Sequence, residues 1–249
     1  MRFVRNANLP EDTACILLGE EYAEILQKNL EKMGIQCIII PENPDLDPRL
    51  GSHADLSVLH LGRNRLLLAG HLKGSAFAGE LEGKGAALSF LSSLQKAKYP
   101  GDAGLNLCQI GDRVIANPNT AAPEALQAAV SGRILLPTKQ GYSRCSVCIV
   151  DHDSLITADT QIASAAETSG LHVLRISPGA VELSGFSSGF LGGASFKLSR
   201  SRIAFTGHLD AHPGRDAILA FLKFRNMEAV FLSDNPAFDI GSAIPIWEK

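Results

Sequence analysis

The chain has 249 residues, 45% of them hydrophobic and 20% charged, with a net charge of −3 at pH 7. That balance excludes a global electrostatic attraction to nucleic acid or to an anionic membrane surface. No apolar run approaches the roughly 18–20 residues of a membrane span, and the basic N-terminus lacks an apolar core of signal-peptide length, so a cytoplasmic protein with neither nucleic acid nor membrane as a partner is expected.

The first predicted strand covers residues 14–18, and a helix follows over 20–33. In that helix Tyr22, Ile25, Leu26, Leu30 and Met33 recur at three- and four-residue steps and form one apolar stripe. Gly34 caps it, and residues 35–40 read as a buried strand. Beyond a loop holding Pro41, Pro44 and Pro48, residues 55–61 and 65–69 predict two further strands. Residues 70–104 are less regular: 80–98 looks helical, with no clear third strand after it. From residue 105 a unit repeats: strand, short turn, second strand, alanine-rich helix, glycine, third strand. It occupies residues 105–136, returns at 145–176, and is seen again at 194–232.

Such repetition marks an architecture made by stacking copies. Strand starts near Asp55, Asn106, Cys145, Ala194 and Asp239 divide the chain into comparable segments. The helix after Ala14 completes a unit whose first strand comes from the C-terminal end. The prediction is an α/β fold, a propeller of about five strand-strand-helix-strand units around a pseudo-fivefold axis, forming one domain over residues 1–249.

Cys15, Cys37, Cys108, Cys145 and Cys148 are odd in number and mostly lie in apolar strands, where a reduced cysteine packs as a small hydrophobe. Cys145 and Cys148 form a Cys-x-x-Cys, but Cys-Ser-Val-Cys-Ile-Val reads as a strand, on which positions three apart face opposite ways. Unless Cys145 precedes the strand, the two thiols cannot share a ligand. Free thiols, no bound zinc or other metal and no cofactor are expected. Asn117 and Asp159 follow second strands and precede helices, positions where capping explains them.

Four stretches carry a resemblance that spans nearly the whole chain: His53-Ala-Asp-Leu-Ser-Val-Leu-His-Leu-Gly62, Gly141-Tyr-Ser-Arg-Cys-Ser146, Gly189-Phe-Leu-Gly-Gly-Ala-Ser195 and Asp239-Ile-Gly-Ser242. The sequence resembles the pentein, or guanidino-group modifying, fold, and more closely an uncharacterised bacterial family assigned to it. Characterised penteins include arginine and agmatine deiminases, dimethylarginine hydrolases and amidinotransferases. In their shared chemistry carboxylates grip a planar guanidinium, a thiolate attacks its central carbon and a histidine handles protons.

What the resemblance implies for particular residues is uneven. Gly207-His-Leu-Asp210 is similar to the Gly-His-x-Asp of agmatine deiminases, which would make His208 the acid/base and Asp210 a guanidinium ligand. Without the family, Asp210 helps to cap the next helix and His208 packs. Asp55 stands at the start of an inner strand, where penteins place a substrate-binding acid, and His53 shares its strand face, with His60 on the other. Gly192 and Gly193 resemble the glycines before a pentein nucleophile, but Ala194 and Ser195 follow them. Family enzymes carry a cysteine in the last inner strand; here Asp239-Ile-Gly-Ser242 puts Ser242 there. A serine needs a closely hydrogen-bonded base. Cys145, at a strand entrance, could substitute from a different spoke of the ring.

Two functions follow. One is a small-molecule binding protein or divergent amidine-type hydrolase or transferase, with a polar site for guanidino or amidino compounds at the ring axis. There Asp55, His208, Asp210 and Asp239 converge, and Cys145 and Ser242 stand near the rim. The other is a catalytically silent module that acts through a protein partner.

Overall fold

Short apolar runs between polar turns bury themselves by pairing, and this chain does so in five small sheets. The computed structural model describes residues 1–93 and 95–249. The chain begins with β1 (Arg2–Phe3), β2 (Thr13–Gly19), α1 (Ala23–Lys32) and β3 (Gln36–Ile40). A one-turn helix, α2 (Ala54–Ser57), leads into β4 (Val58–His60), β5 (Arg65–Leu68), α3 (Ala76–Gly83) and β6 (Ala87–Phe90). The next unit comprises β7 (Cys108–Ile110), β8 (Arg113–Ala116), α4 (Pro123–Val130) and β9 (Ile134–Pro137). After it come β10 (Cys148–Ile149), β11 (Ser154–Thr157), α5 (Thr160–Thr168) and β12 (His172–Arg175). Then follow β13 (Ser195–Lys197), β14 (Arg202–Phe205), α6 (Arg215–Phe224), β15 (Glu228–Phe231) and finally β16 (Ile244–Glu248).

In four units the first strand pairs antiparallel with the second, and the second pairs parallel with the third across a helical crossover. The fifth unit is assembled from both ends of the chain. β16 pairs antiparallel with β2 on one side and with β1 on the other, and β2 runs parallel to β3. Burial falls outward: β4, β7, β10, β13 and β16 are buried throughout, whereas β6, β12 and β15 have exposed and half-buried positions. The first strands therefore stand nearest the centre, which is the pseudo-fivefold arrangement that the repeat predicts.

Several local expectations change. Residues 80–98 are not one helix: α3 stops at Gly83, Gly85 turns the chain at φ +90°, and β6 supplies the missing third strand beside β5. Position 94 of that stretch lies outside the described residues. Ile25 is exposed, so the buried stripe of the first helix is Tyr22, Leu26 and Leu30. Asp159 caps α5 through Gln161 and Ile162, as expected. Asn117 instead closes a turn by accepting from Asn119 N–H, while α4 begins later, after Ala122. A fragment of residues 1–100 leaves β2 without β16 and the second unit's face uncovered. It should melt without cooperativity in circular dichroism; a sharp two-state transition would contradict interdependent units.

Candidate functional site

The segments that precede the five innermost strands meet in a belt of hydrogen bonds. Asp55 N–H donates to the Gly241 carbonyl, Gly193 N–H to that of Cys145, and both Ile240 and Ser242 N–H to that of Gly193. Asn106 closes the belt through its side chain: Oδ1 accepts from Arg144 N–H at 2.7 Å and Cys145 N–H at 3.2 Å, and Nδ2 donates to Cys145 Sγ at 3.3 Å. Each spoke thus delivers a side chain or a close backbone to the centre.

Three of those side chains carry formal or latent charge. The Cys145 thiol lies 2.9 Å from Asp55 Oδ2. Burial pushes the Asp55 carboxyl up to about 7, against the opposing pull of the Cys145 hydrogen bond and the Arg144 charge. Burial, reinforced by Asp55 and Asp239, pushes the Cys145 thiol well above its ordinary range. The Arg144 guanidinium is buried and donates to the carbonyls of Val147 (3.2 Å) and Gly192 (3.3 Å) and to Ser242 Oγ (2.6 Å). Ser242, at φ +63°, commits its own proton to the Ser195 carbonyl at 2.9 Å. Among the described residues its hydroxyl bonds to no basic side-chain acceptor, and it accepts from Arg144.

His53 and Asp239 complete the group. His53 is the residue before α2, and its buried ring stands edge-on to Tyr22. Burial lowers the imidazole's proton affinity, against the pull of Asp239, whose Oδ1 is 3.9 Å from Nδ1. Asp239 is oriented by two main-chain donors, Gly241 N–H on Oδ1 (2.9 Å) and Phe190 N–H on Oδ2 (2.8 Å). Glycines make this approach possible. A Cβ at Gly193 would sit 1.9 Å from Asp239 Oδ1, and one at Gly241, itself at φ +65°, 2.6 Å from Asp55 Oδ1. Gly192 lies against the Cys145–Val147 backbone for the same reason. One atom each from His53, Cys145 and Asp239 lie within 4.8 Å of one another. His53 Nε2 and Asp55 Oδ1 have no hydrogen-bond partner among the described residues.

Asp55, His53, Asp239, Cys145, Ser242, Gly192, Gly193 and Ser195 are therefore brought together, but by other means than the sequence suggests. Residues 54–57 form a helical turn, so His53 and Asp55 converge through that turn and not along a strand face. Cys145 precedes β10 in a turn, which removes the strand-face argument. Cys148 still turns into an apolar cluster and takes no part in the group. Cys145 and Ser242 are buried, not at a rim. Leu46, Leu50 and Leu56 pack with Tyr142 and Leu183 as a separate apolar cluster. Asp239 also borders a cleft of about 800 Å³, lined by Tyr22, Arg49, Phe186 and Phe238 among others.

His208 is tied to the segment that leads to Asp239, its N–H donating to the Asn235 carbonyl and its carbonyl accepting from Ala237 N–H. Asp210 is largely exposed and bonded to Arg215, with His208 Nδ1 3.4 Å from its Oδ2. Among the described residues no hydrogen bond or ion pair joins either to Asp55, Cys145 or Asp239. They follow β14, a middle strand, whereas Asp55, Cys145 and Asp239 precede innermost strands. Nor does Asp210 cap α6, which begins after Gly214. Sequence reasoning missed Asn106 and Arg144 as site residues. Both precede an innermost strand, and a charged residue entering an apolar run was the available signal.

Five inward-facing units of this connectivity define the pentein fold. Solved structures agree along the full length. The inosamine-phosphate amidinotransferase of Streptomyces griseus matches with a TM-score of 0.61 at 10% identity over 100% of this chain and 98% of that one. The agmatine deiminase of C. jejuni gives 0.57 at 10% identity over 100% and 96%. An amidinotransferase of the saxitoxin biosynthetic pathway from Microseira wollei gives 0.53 at 10% identity over 92% and 91%. None of the curated proteins is similar in sequence. Within the fold, the chain belongs to the family described as Family of unknown function (DUF6873), whose sequence model matches residues 17–244.

Proposed function

We propose that the centre of the ring binds a small planar cation of the guanidino or amidino class, and that Cys145 attacks its central carbon. The observation that carries this reading is the juxtaposition of the Cys145 thiol, 2.9 Å from Asp55, with His53 and Asp239. When the buried carboxylates of Asp55 and Asp239 are both ionised, they and Arg144 sum to one net negative charge, which one monocation would neutralise. The relatives in the fold that act on amidino groups or agmatine support the same ligand class.

In this reading Asp55 and Asp239 grip the ligand's N–H groups. Asp55 accepts the thiol proton as sulfur bonds to the amidine carbon. The leaving amine takes a proton from the carboxyl or imidazole beside it, and water or a second amine resolves the adduct. A catalytically silent binding site is the second reading, favoured by the same burial that raises the Cys145 thiol.

Labelling separates the two. A haloacetamidine should alkylate Cys145 of chelator-treated protein at least about tenfold faster than the matching haloacetamide, the ~1.4 kcal/mol expected of one charge-assisted contact. The preference should vanish in Asp55→Asn. A rise in melting temperature with arginine or agmatine but no labelling preference would favour the silent site. Neither effect would sink both.

A further inference from the structure

We propose that His53, Cys145 and Asp239 form a site for a thiophilic divalent metal ion of the zinc type. The inference goes beyond cation binding and stands on its own geometry. The three ligand atoms, from three different spokes, already lie within 4.8 Å of one another, and all three residues are buried. A tetrahedral zinc ion with bonds of about 2.0–2.3 Å spaces its ligands by roughly 3.3–3.8 Å, so contraction by about an ångström suffices. Imidazole, thiolate and carboxylate are the donor set that suits zinc and cobalt and not magnesium or calcium, which take all-oxygen shells.

Two features independent of that spacing point to a ligand. His53 Nε2 and Asp55 Oδ1 are buried polar atoms with no partner among the described residues. Such atoms are costly unless something occupies them. The outer shell is also built. Asp239 is aimed by the N–H groups of Gly241 and Phe190, and the His53 ring is set edge-on to Tyr22. The two hydrogen bonds to Asp239 are second contacts of the kind that orient a metal ligand.

The charges close as well. On binding, the metal displaces the thiol proton to solvent, leaving a thiolate. Thiolate, two carboxylates, the Arg144 guanidinium and a divalent ion then sum to zero. Cys148 has no place in this site, so the ligands are not those of the Cys-x-x-Cys. Because the metal would engage Cys145 sulfur, metal and cationic ligand exclude one another, and metal would hold the thiol inert.

The test uses chelator-stripped full-length protein and cobalt(II) as the spectroscopic stand-in for zinc. One equivalent should bind, with a thiolate-to-cobalt charge-transfer band and the visible bands of four-coordinate cobalt. Zinc should displace it; magnesium and calcium should not. The thiolate band should be lost in Cys145→Ser and kept in Cys148→Ser. A second measurement needs no variant: zinc should block alkylation of Cys145 in the wild-type protein, read by peptide mass spectrometry, and a chelator should restore it. Absence of cobalt uptake, a spectrum without the thiolate band, or one that survives Cys145→Ser would overturn the metal site. The two readings fail separately. Metal-free protein with an amidine preference but no cobalt uptake loses only the metal proposal. Cobalt uptake without amidine preference or thermal shift loses only the cation proposal.

Discussion

Arg144→Met should cost about 3–5 kcal/mol of unfolding free energy, the range for removing one partner from a buried charged network. Methionine matches the length of the stem but none of the donors. Two main-chain carbonyls and the Ser242 hydroxyl lose their guanidinium contacts at 3.2, 3.3 and 2.6 Å, and Asp55 loses its nearby buried cation. Three spokes are loosened at once, because Val147, Gly192 and Ser242 belong to different units. Arg144→Lys should fall between, since one compact ammonium replaces the two guanidinium nitrogens that serve Val147, Gly192 and Ser242. Urea unfolding at pH 7 measures both. A loss below about 0.5 kcal/mol for Arg144→Met, the size of an ordinary surface change, would show that Arg144 is not what ties the spokes together.

How far the sequence could be read depended on whether a feature is local. The repeat is local: each strand-turn-strand-helix-strand run obeys its own periodicity, so the three sheets formed between residues 105 and 232 and their connectivity were legible before any contact was known. The pairing of β16 with β2 could be inferred only by completing the pattern. Residues 70–104 misled because a short helix ending at Gly83 and a four-residue strand with alternating exposure carry weak periodic signals.

The site was legible where position in the repeat decides location. Asp55, Cys145 and Asp239 all lie just before an innermost strand, and each reaches the centre. His208 and Asp210 rested on a three-residue likeness, and among the described residues neither is bonded to Asp55, Cys145 or Asp239. Arg144 went unread because a lone arginine ordinarily marks a solvated surface. Only the meeting of a carbonyl and a hydroxyl from two other spokes makes a buried guanidinium tolerable there. The partnership of Cys145 with His53 and Asp239 joins residues 92 and 94 positions apart, which no spacing rule links.

Lys197→Met is expected to do the reverse of Arg144→Met and raise stability by about 3 kcal/mol at neutral pH. Lys197, in β13, is a buried cation like Arg144, but it is poorly served. Among the described residues its ammonium has only the Met227 sulfur at 2.8 Å and the Arg200 carbonyl at 3.4 Å. Burial lowers its pKa from 10.5 to about 8, against the weaker opposing pull of Asp151 and Cys148. Below pH 8 both folded and unfolded chains hold the proton, and the folded state bears the full cost of burying it. Between about 8 and 10.5 the folded state binds fewer protons than the unfolded state, so stability rises with pH and the cost disappears. At about 1.4 kcal/mol per pH unit that interval gives the ~3 kcal/mol. Methionine keeps the volume and removes the charge, so its advantage should be constant up to pH 8 and shrink steadily towards pH 10 in urea titrations. An advantage that is absent at pH 7, or that grows with pH, would mean that the ammonium is better solvated than its two contacts imply. The contrast isolates what makes Arg144 different: a buried cation stabilises this ring only where several spokes turn acceptors towards it.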